Sequence, residues 1–198
     1  MLVQNTAWRN AEVAMANLRA SGLLDSKLLA HSSTEKVEML IRPAGFQHQK
    51  AQTLLGLARY VTDGAASFAE FLTQPTPLVR EQLLALRGIG PETADSIVLY
   101  AAGHEIFVVD VYLRRFLLAL GYDSMSELKY ERLRLEMETL VATQRDAFGQ
   151  ILAGLHSQTP SHPATSMSGL PRAPLADIYN ELHAVLVRDG VEKRRSRA

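Results

Sequence analysis

Two glycines one residue apart, followed at once by a proline, separate two apolar runs in Leu83-Leu84-Ala85-Leu86-Arg87-Gly88-Ile89-Gly90-Pro91-Glu92-Thr93-Ala94-Asp95-Ser96-Ile97-Val98-Leu99-Tyr100. Glycine adopts left-handed and crowded torsions that a Cβ blocks, so Gly88 and Gly90 predict a sharp reversal with bare amides. Pro91 suits the first position of a new helix, where its missing N–H costs nothing. Free N–H groups at such a start, with the positive end of the helix dipole, accommodate a phosphate. A contact of this kind grips a nucleic-acid backbone without reading its sequence. An ordinary helical hairpin with a glycine turn explains the same residues equally well on their own.

Beyond the hairpin, the apolar run Ile106 to Val109 could pass for a strand but has no visible partner, so it reads as an extended connector. It delivers Asp110 to the start of an amphipathic helix, Val111-Tyr112-Leu113-Arg114-Arg115-Phe116. Asp is a favoured N-cap, and capping alone accounts for it there. A helix N-terminus also favours an anion, so a chemical role is compatible with the cap.

The string Leu86-Arg87-Gly88-Ile89-Gly90-Pro91-Glu92-Thr93-Ala94, followed by Val108-Val109-Asp110-Val111-Tyr112, resembles the helix-hairpin-helix signature of the endonuclease III superfamily of DNA glycosylases. Leu2-Val3-Gln4-Asn5-Thr6, Ile41-Arg42-Pro43-Ala44-Gly45-Phe46 with Gln49-Lys50-Ala51, and Tyr179-Asn180-Glu181-Leu182-His183-Ala184 are similar to the branch that includes 3-methyladenine DNA glycosylases. The resemblance implies an all-α, two-lobed fold with damaged double-stranded DNA as the partner and a base pocket between the lobes. Gly88, Ile89 and Gly90 would anchor the DNA backbone, with Arg87 and Thr93 as further DNA-binding candidates. Asp110 would be catalytic, because cleaving an N-glycosidic bond develops positive charge on the sugar that a fixed carboxylate stabilises, or because it helps activate water.

Atoms to be attacked are inaccessible within a stacked duplex, so the base must be extruded. The resemblance gives Gln4 the task of filling the gap and places Trp8 and Glu92 at the base pocket. On a helix running from residue 2 to 20, Gln4 and Trp8 would project from one face. Trp8 would then stack on a positively charged alkylated purine such as 3-methyladenine. A core aromatic is the plain alternative for Trp8.

Three departures refine the expectation. Glu92 stands where bifunctional relatives carry a lysine that forms an imine with the sugar, and the spacing to Asp110 fits without a gap. A carboxylate cannot form an imine, so a monofunctional enzyme without β-lyase activity is expected; Lys50 and Lys129 are the other amines considered. The chain has no cysteine, so neither a disulfide framework nor the cysteine-held iron–sulfur cluster of many relatives is expected, and no other metal site beyond a monovalent cation at the hairpin. Relatives also carry residues ahead of the Gln-Asn-Thr stretch, so the fold is expected to be truncated at its N-terminus.

The formal net charge of zero argues mildly against a DNA binder, since Lys and Arg supply much of such affinity. However, Arg42, Lys50, Arg87, Arg114 and Arg115 lie in or near the matching blocks, and Lys193-Arg194-Arg195-Ser196-Arg197 is basic, so a local positive face is expected. Without a secretory signal or a membrane-length apolar run, the sequence suggests a monomer in the cytoplasm, associated with the nucleoid.

Periodicity predicts further helices over 46–61, 67–72, 78–86, 92–102, 111–120 and 126–148, two short ones over 28–40 divided near Ser32-Ser33 with a restart at Ser33, and a last one over about 175–188. The division expected is residues 2–105, with the hairpin, and 106–198, with a Pro/Ser-rich loop at 157–174 and the basic tail. A catalytically weak or inactive DNA-binding protein of the same fold is the competing reading, and a helical interaction module without a DNA role is the third.

Overall fold

Every regular element of the computed structural model is helical, over the residues it describes: 1–63, 68–156 and 172–195. No strand occurs among them. The chain divides into two compact units, Met1–Thr93 and Ala94–Ala198.

In the first unit, α1 (Trp8–Ala20), α3 (Thr34–Ile41) and α4 (Gln47–Asp63) enclose a core of Ala11, Ala14, Leu18, Val37, Ile41, Ala51 and Leu55. The short α2 (Ser26–Ala30) packs on α4. Side-chain caps set two of the starts: Asp25 accepts from the Leu28 amide at 2.9 Å, and Ser33 from Lys36 at 3.2 Å. The predicted break near Ser32-Ser33 is thus a capped restart. A 3-10 turn at Arg42–Ala44 leads through Gly45 and Phe46, both at positive φ, into α4. After α5 (Phe68–Leu72), α6 (Thr76–Leu84) and α7 (Pro91–Ile97) flank the glycine turn.

The expected helix from residue 2 is corrected, because α1 begins only at Trp8. Asn5 has φ of 52°, a left-handed torsion that Asn tolerates better than most side chains, and it closes a separate turn. Gln4 and Trp8 therefore do not share a helical face.

In the second unit, α7 widens into a π-helical turn, Val98–Ala102, stopped by Gly103 in the left-handed region. Residues Ile106 to Asp110 then run extended and buried. Buried backbone amides need partners, and here side chains of α10 (Tyr130–Thr143) supply them in place of a neighbouring strand. Phe107 N donates to Glu138 Oε1 at 3.0 Å, and Val109 N donates to the Tyr130 hydroxyl at 3.4 Å. That hydroxyl in turn donates to the fully buried Asp95 at 2.8 Å. Tyr130→Phe removes both contacts and should cost about 1.5–3 kcal/mol, the range for a hydrogen bond to a charged group. Chemical denaturation measures it; an unchanged midpoint would show that the connector is held without this hydroxyl.

The connector feeds α8 (Val111–Ala119). Beyond it, the run expected as one helix over 126–148 is three: α9 (Asp123–Ser126), α10 and α11 (Arg145–His156). Arg114 of α8 explains one break, because its guanidinium donates to the carbonyls of Ser126 and Leu128 and removes that segment from helical pairing. The last helix, α12 (Pro174–Arg195), begins where Leu175 N donates to Glu105 at 3.1 Å. It outruns the predicted end at Arg188 because Gly190 does not terminate it: a Cβ there would overlap the Tyr112 ring, so glycine serves close packing. Most of the expected Pro/Ser-rich loop, residues 157–171, and the end of the basic tail, 196–198, lie outside the described residues.

Candidate functional site

The predicted site residues fall into two neighbourhoods, one in each unit.

In the first unit the hairpin runs from the end of α6 through Arg87, Gly88, Ile89 and Gly90 to Pro91. Gly88 takes φ of 85°, and a Cβ there would overlap the Thr53 hydroxyl of α4, so conformation and packing both demand glycine. Gly90 differs from the expectation of two special torsions. It has no positive φ, and a Cβ built on it meets nothing within 4 Å. Ile89 is an anchor of the turn itself: its side chain is buried and its amide donates to Leu86 O at 3.1 Å. Arg87, Gly90 and Glu92 face solvent.

Beside the hairpin lies the N-terminal turn. Gln4 Nε2 donates to the buried Thr93 hydroxyl at 2.6 Å, so Thr93 orients the glutamine rather than presenting a free group. Lys50 holds the same turn from below. Its ammonium donates to Leu2 O at 3.0 Å, Gln4 O at 2.8 Å and Ala44 O at 2.8 Å. All three of its donors have partners. Burial pushes the Lys50 amine below its ordinary range. Lys50→Met should leave three carbonyls unpartnered, two buried and one half-buried, at about 1–3 kcal/mol for each that stays dry. Calorimetry should therefore show a clear fall in Tm, whereas an unchanged Tm would mean that the turn rearranges freely.

Trp8 is no core aromatic: 54% of it is exposed, and its indole N–H donates to Glu12 Oε1 at 2.9 Å. Its ring is available for stacking. The expected positive face is narrower than the sequence suggests. Arg42, Arg87 and Arg115 are exposed, but Lys50 and Arg114 are internal staples bonded to main-chain carbonyls.

In the second unit, Asp110 is the N-cap of α8, its Oδ1 accepting from Leu113 N at 2.8 Å. The side chain is 8% exposed, and Oδ2 points to His183 Nε2 of α12 at 3.4 Å. The other ring nitrogen of His183, Nδ1, is in short hydrogen-bond contact with the Tyr100 hydroxyl from the π-helical turn. Burial, and then the negative charges of Asp110 and Glu181, raise the Tyr100 phenol well above its ordinary value. Tyr100 therefore keeps its proton through the neutral range. One oxygen of Asp110 is thus fixed by backbone, and the other meets a polar relay.

His183 and Tyr100 were missed as site residues by sequence reasoning. His183 stood only within a matching block, and nothing local in the sequence links it to Asp110. Among the described residues, no three His, Asp or Glu side chains gather as metal ligands, and no helix is long and apolar enough to cross a membrane.

Residues 1–142 match the family described as HhH-GPD superfamily base excision DNA repair protein. A Methanocaldococcus jannaschii protein described as a DNA repair glycosylase is 36% identical over 147 residues, covering 70% of this chain and 67% of the relative. Endonuclease III of Sulfolobus acidocaldarius is 28% identical, over 62% of this chain and 53% of that protein. Among solved structures, the H. pylori 3-methyladenine DNA glycosylase MagIII bound to 1,N6-ethenoadenine superposes with a TM-score of 0.77 and 27% identity, over 97% of this chain and 81% of that one.

Proposed function

The chain belongs to the HhH-GPD superfamily of base excision DNA repair proteins, and on that premise we propose that it is a monofunctional DNA glycosylase that removes an alkylated base from duplex DNA. The observation that carries the reading is Asp110, a buried carboxylate with one oxygen held by the α8 backbone and the other left for chemistry. As the N-glycosidic bond breaks, its electron pair leaves with the base, and the sugar gains positive charge that the carboxylate stabilises. Water then adds to the sugar carbon, and its proton passes to Asp110 or to solvent.

Gln4, oriented by Thr93, fills the space of the extruded nucleotide. The exposed Trp8 ring and Glu92 bind the base, which suits a cationic alkylated purine. Similarity to a 3-methyladenine glycosylase supports that choice of base. Arg87, Gly88 and Gly90 hold the DNA backbone, on a turn pinned by Ile89, the third hairpin residue expected at the DNA. The enzyme acts on damaged DNA as a monomer in the cytoplasm, at the nucleoid, with at most a monovalent cation at the hairpin. Iron–sulfur chemistry has no part in this reading, since these 198 residues contain no cysteine to ligate a cluster.

The absence of lyase activity rests on Glu92 in place of the imine-forming lysine. Incubation with abasic duplex and borohydride should trap no covalent enzyme–DNA adduct, and strands should break only after alkali. A trapped adduct would overturn the monofunctional reading, and its disappearance in Lys129→Arg or Lys50→Arg would identify the amine.

A further inference from the structure

The relay behind Asp110 has no place in the reaction as described so far. Asp110 Oδ1 is occupied by the Leu113 amide, so Oδ2 is the oxygen left to face a reacting sugar or water. Its polar neighbour is His183, at 3.4 Å, on a side chain only 14% exposed. His183 is engaged at both ring nitrogens, by Asp110 on one side and by Tyr100 on the other. Such an arrangement selects a tautomer, because whichever group donates to one ring nitrogen determines which nitrogen carries the proton.

We propose that His183 and Tyr100 are positioning residues for Asp110: the Tyr100 hydroxyl donates to Nδ1, which leaves the proton on Nε2, and that nitrogen stands 3.4 Å from Oδ2. The proposal rests on the reading of Asp110 as the catalytic carboxylate. Tyr100 is suited to the donor role because burial keeps its phenol protonated. Two different contacts then fix the carboxylate plane, the Leu113 amide at Oδ1 and the imidazole at Oδ2. A carboxylate fixed before the substrate arrives needs no reorganisation when the sugar becomes positive. The separation of 3.4 Å is long for a hydrogen bond, as is common before substrate closes a site. His183 thereby steadies Oδ2 without neutralising it.

Two arms test this. In the first, 15N NMR of the full chain should find the His183 proton on Nε2. The Nε2–H resonance should move in Asp110→Asn, and the Nδ1 resonance in Tyr100→Phe. A proton on Nδ1, or an Nε2–H signal indifferent to Asp110→Asn, would overturn the proposal whatever the enzyme does.

In the second arm, single-turnover base release from methylated duplex is measured as a function of enzyme concentration. Misplacing a reacting group by about 1 Å can cost up to about 100-fold in rate. His183→Ala should therefore lower the saturating rate by roughly 10- to 100-fold, with the half-saturating enzyme concentration nearly unchanged. His183→Gln, which retains an N–H donor, should recover most of the loss. Tyr100→Phe preserves the ring packing and should give a smaller drop of the same kind. If release depends on Asp110 but all three variants run at the wild-type rate, the relay is dispensable and the proposal fails alone. If release is indifferent to Asp110→Asn, the underlying reading fails and the positioning role goes with it.

Discussion

Asp110→Asn should lower base release by roughly a thousandfold or more while leaving the fold intact, the scale seen when one preorganised electrostatic group is lost from a transition state. The substitution separates two roles that coincide at this position. Asp110 caps α8 by accepting from the Leu113 amide, and Asn caps a helix about as well as Asp. Its amide keeps the cap but carries no charge for the sugar cation. Asp110→Ala removes both, and loss of the cap should add about 1 kcal/mol of destabilisation, or ~2–4 °C in Tm for a chain of this size. Single-turnover release and thermal melting of the two variants read the roles independently. Full activity in Asp110→Asn would reduce this residue to a cap.

The hairpin glycines should divide in the same way. Gly88→Ala faces a left-handed torsion, at about 1–3 kcal/mol, and an overlap with Thr53, at about 1–3 more. The sum is a loss of about 2–6 kcal/mol, so the variant should melt well below the wild type and bind DNA poorly because the turn itself is disturbed. Gly90→Ala has room for its methyl group and an ordinary torsion, so its stability should stay within about 0.5 kcal/mol of wild type. Nothing in the unbound fold requires glycine at 90. The bareness of that backbone matters when a phosphate approaches, where an extra Cβ should weaken duplex affinity roughly tenfold or more. Fluorescence anisotropy with a labelled duplex at several salt concentrations measures it. Wild-type affinity in Gly90→Ala would remove the hairpin from the DNA interface.

These contrasts also mark what was legible in the sequence. The hairpin, its two helices and the capped Asp110 were readable because each depends on local chemistry: a glycine turn, a proline at a helix start, a carboxylate before an amphipathic run. The restart at Ser33 was readable for the same reason. What was missed depends on contacts distant in sequence. Lys50 looked like one of several surface cations, yet three carbonyls from two turns distant in sequence converge on it. Arg114 breaks a helix it does not belong to. Gly190 lies beyond the predicted end of the last helix, yet its position beside Tyr112 gives it a packing role inside α12. The connector at 106–109 lacks a partner strand because its hydrogen bonds go to Glu138 and Tyr130, which periodicity does not reveal. Similarly, Gln4 was placed on a helix because spacing alone does not disclose the left-handed Asn5 that ends the turn first.

The most direct measurement of the central claim is chromatography of the free bases that this chain releases from methylated duplex DNA, with strand breaks scored before and after alkali. The account predicts 3-methyladenine in the supernatant, its loss in Asp110→Asn, and strands that remain whole until alkali is added. Tight, hairpin-dependent binding with no base released would contradict it, and would identify the chain as a DNA-binding member of the family without catalysis.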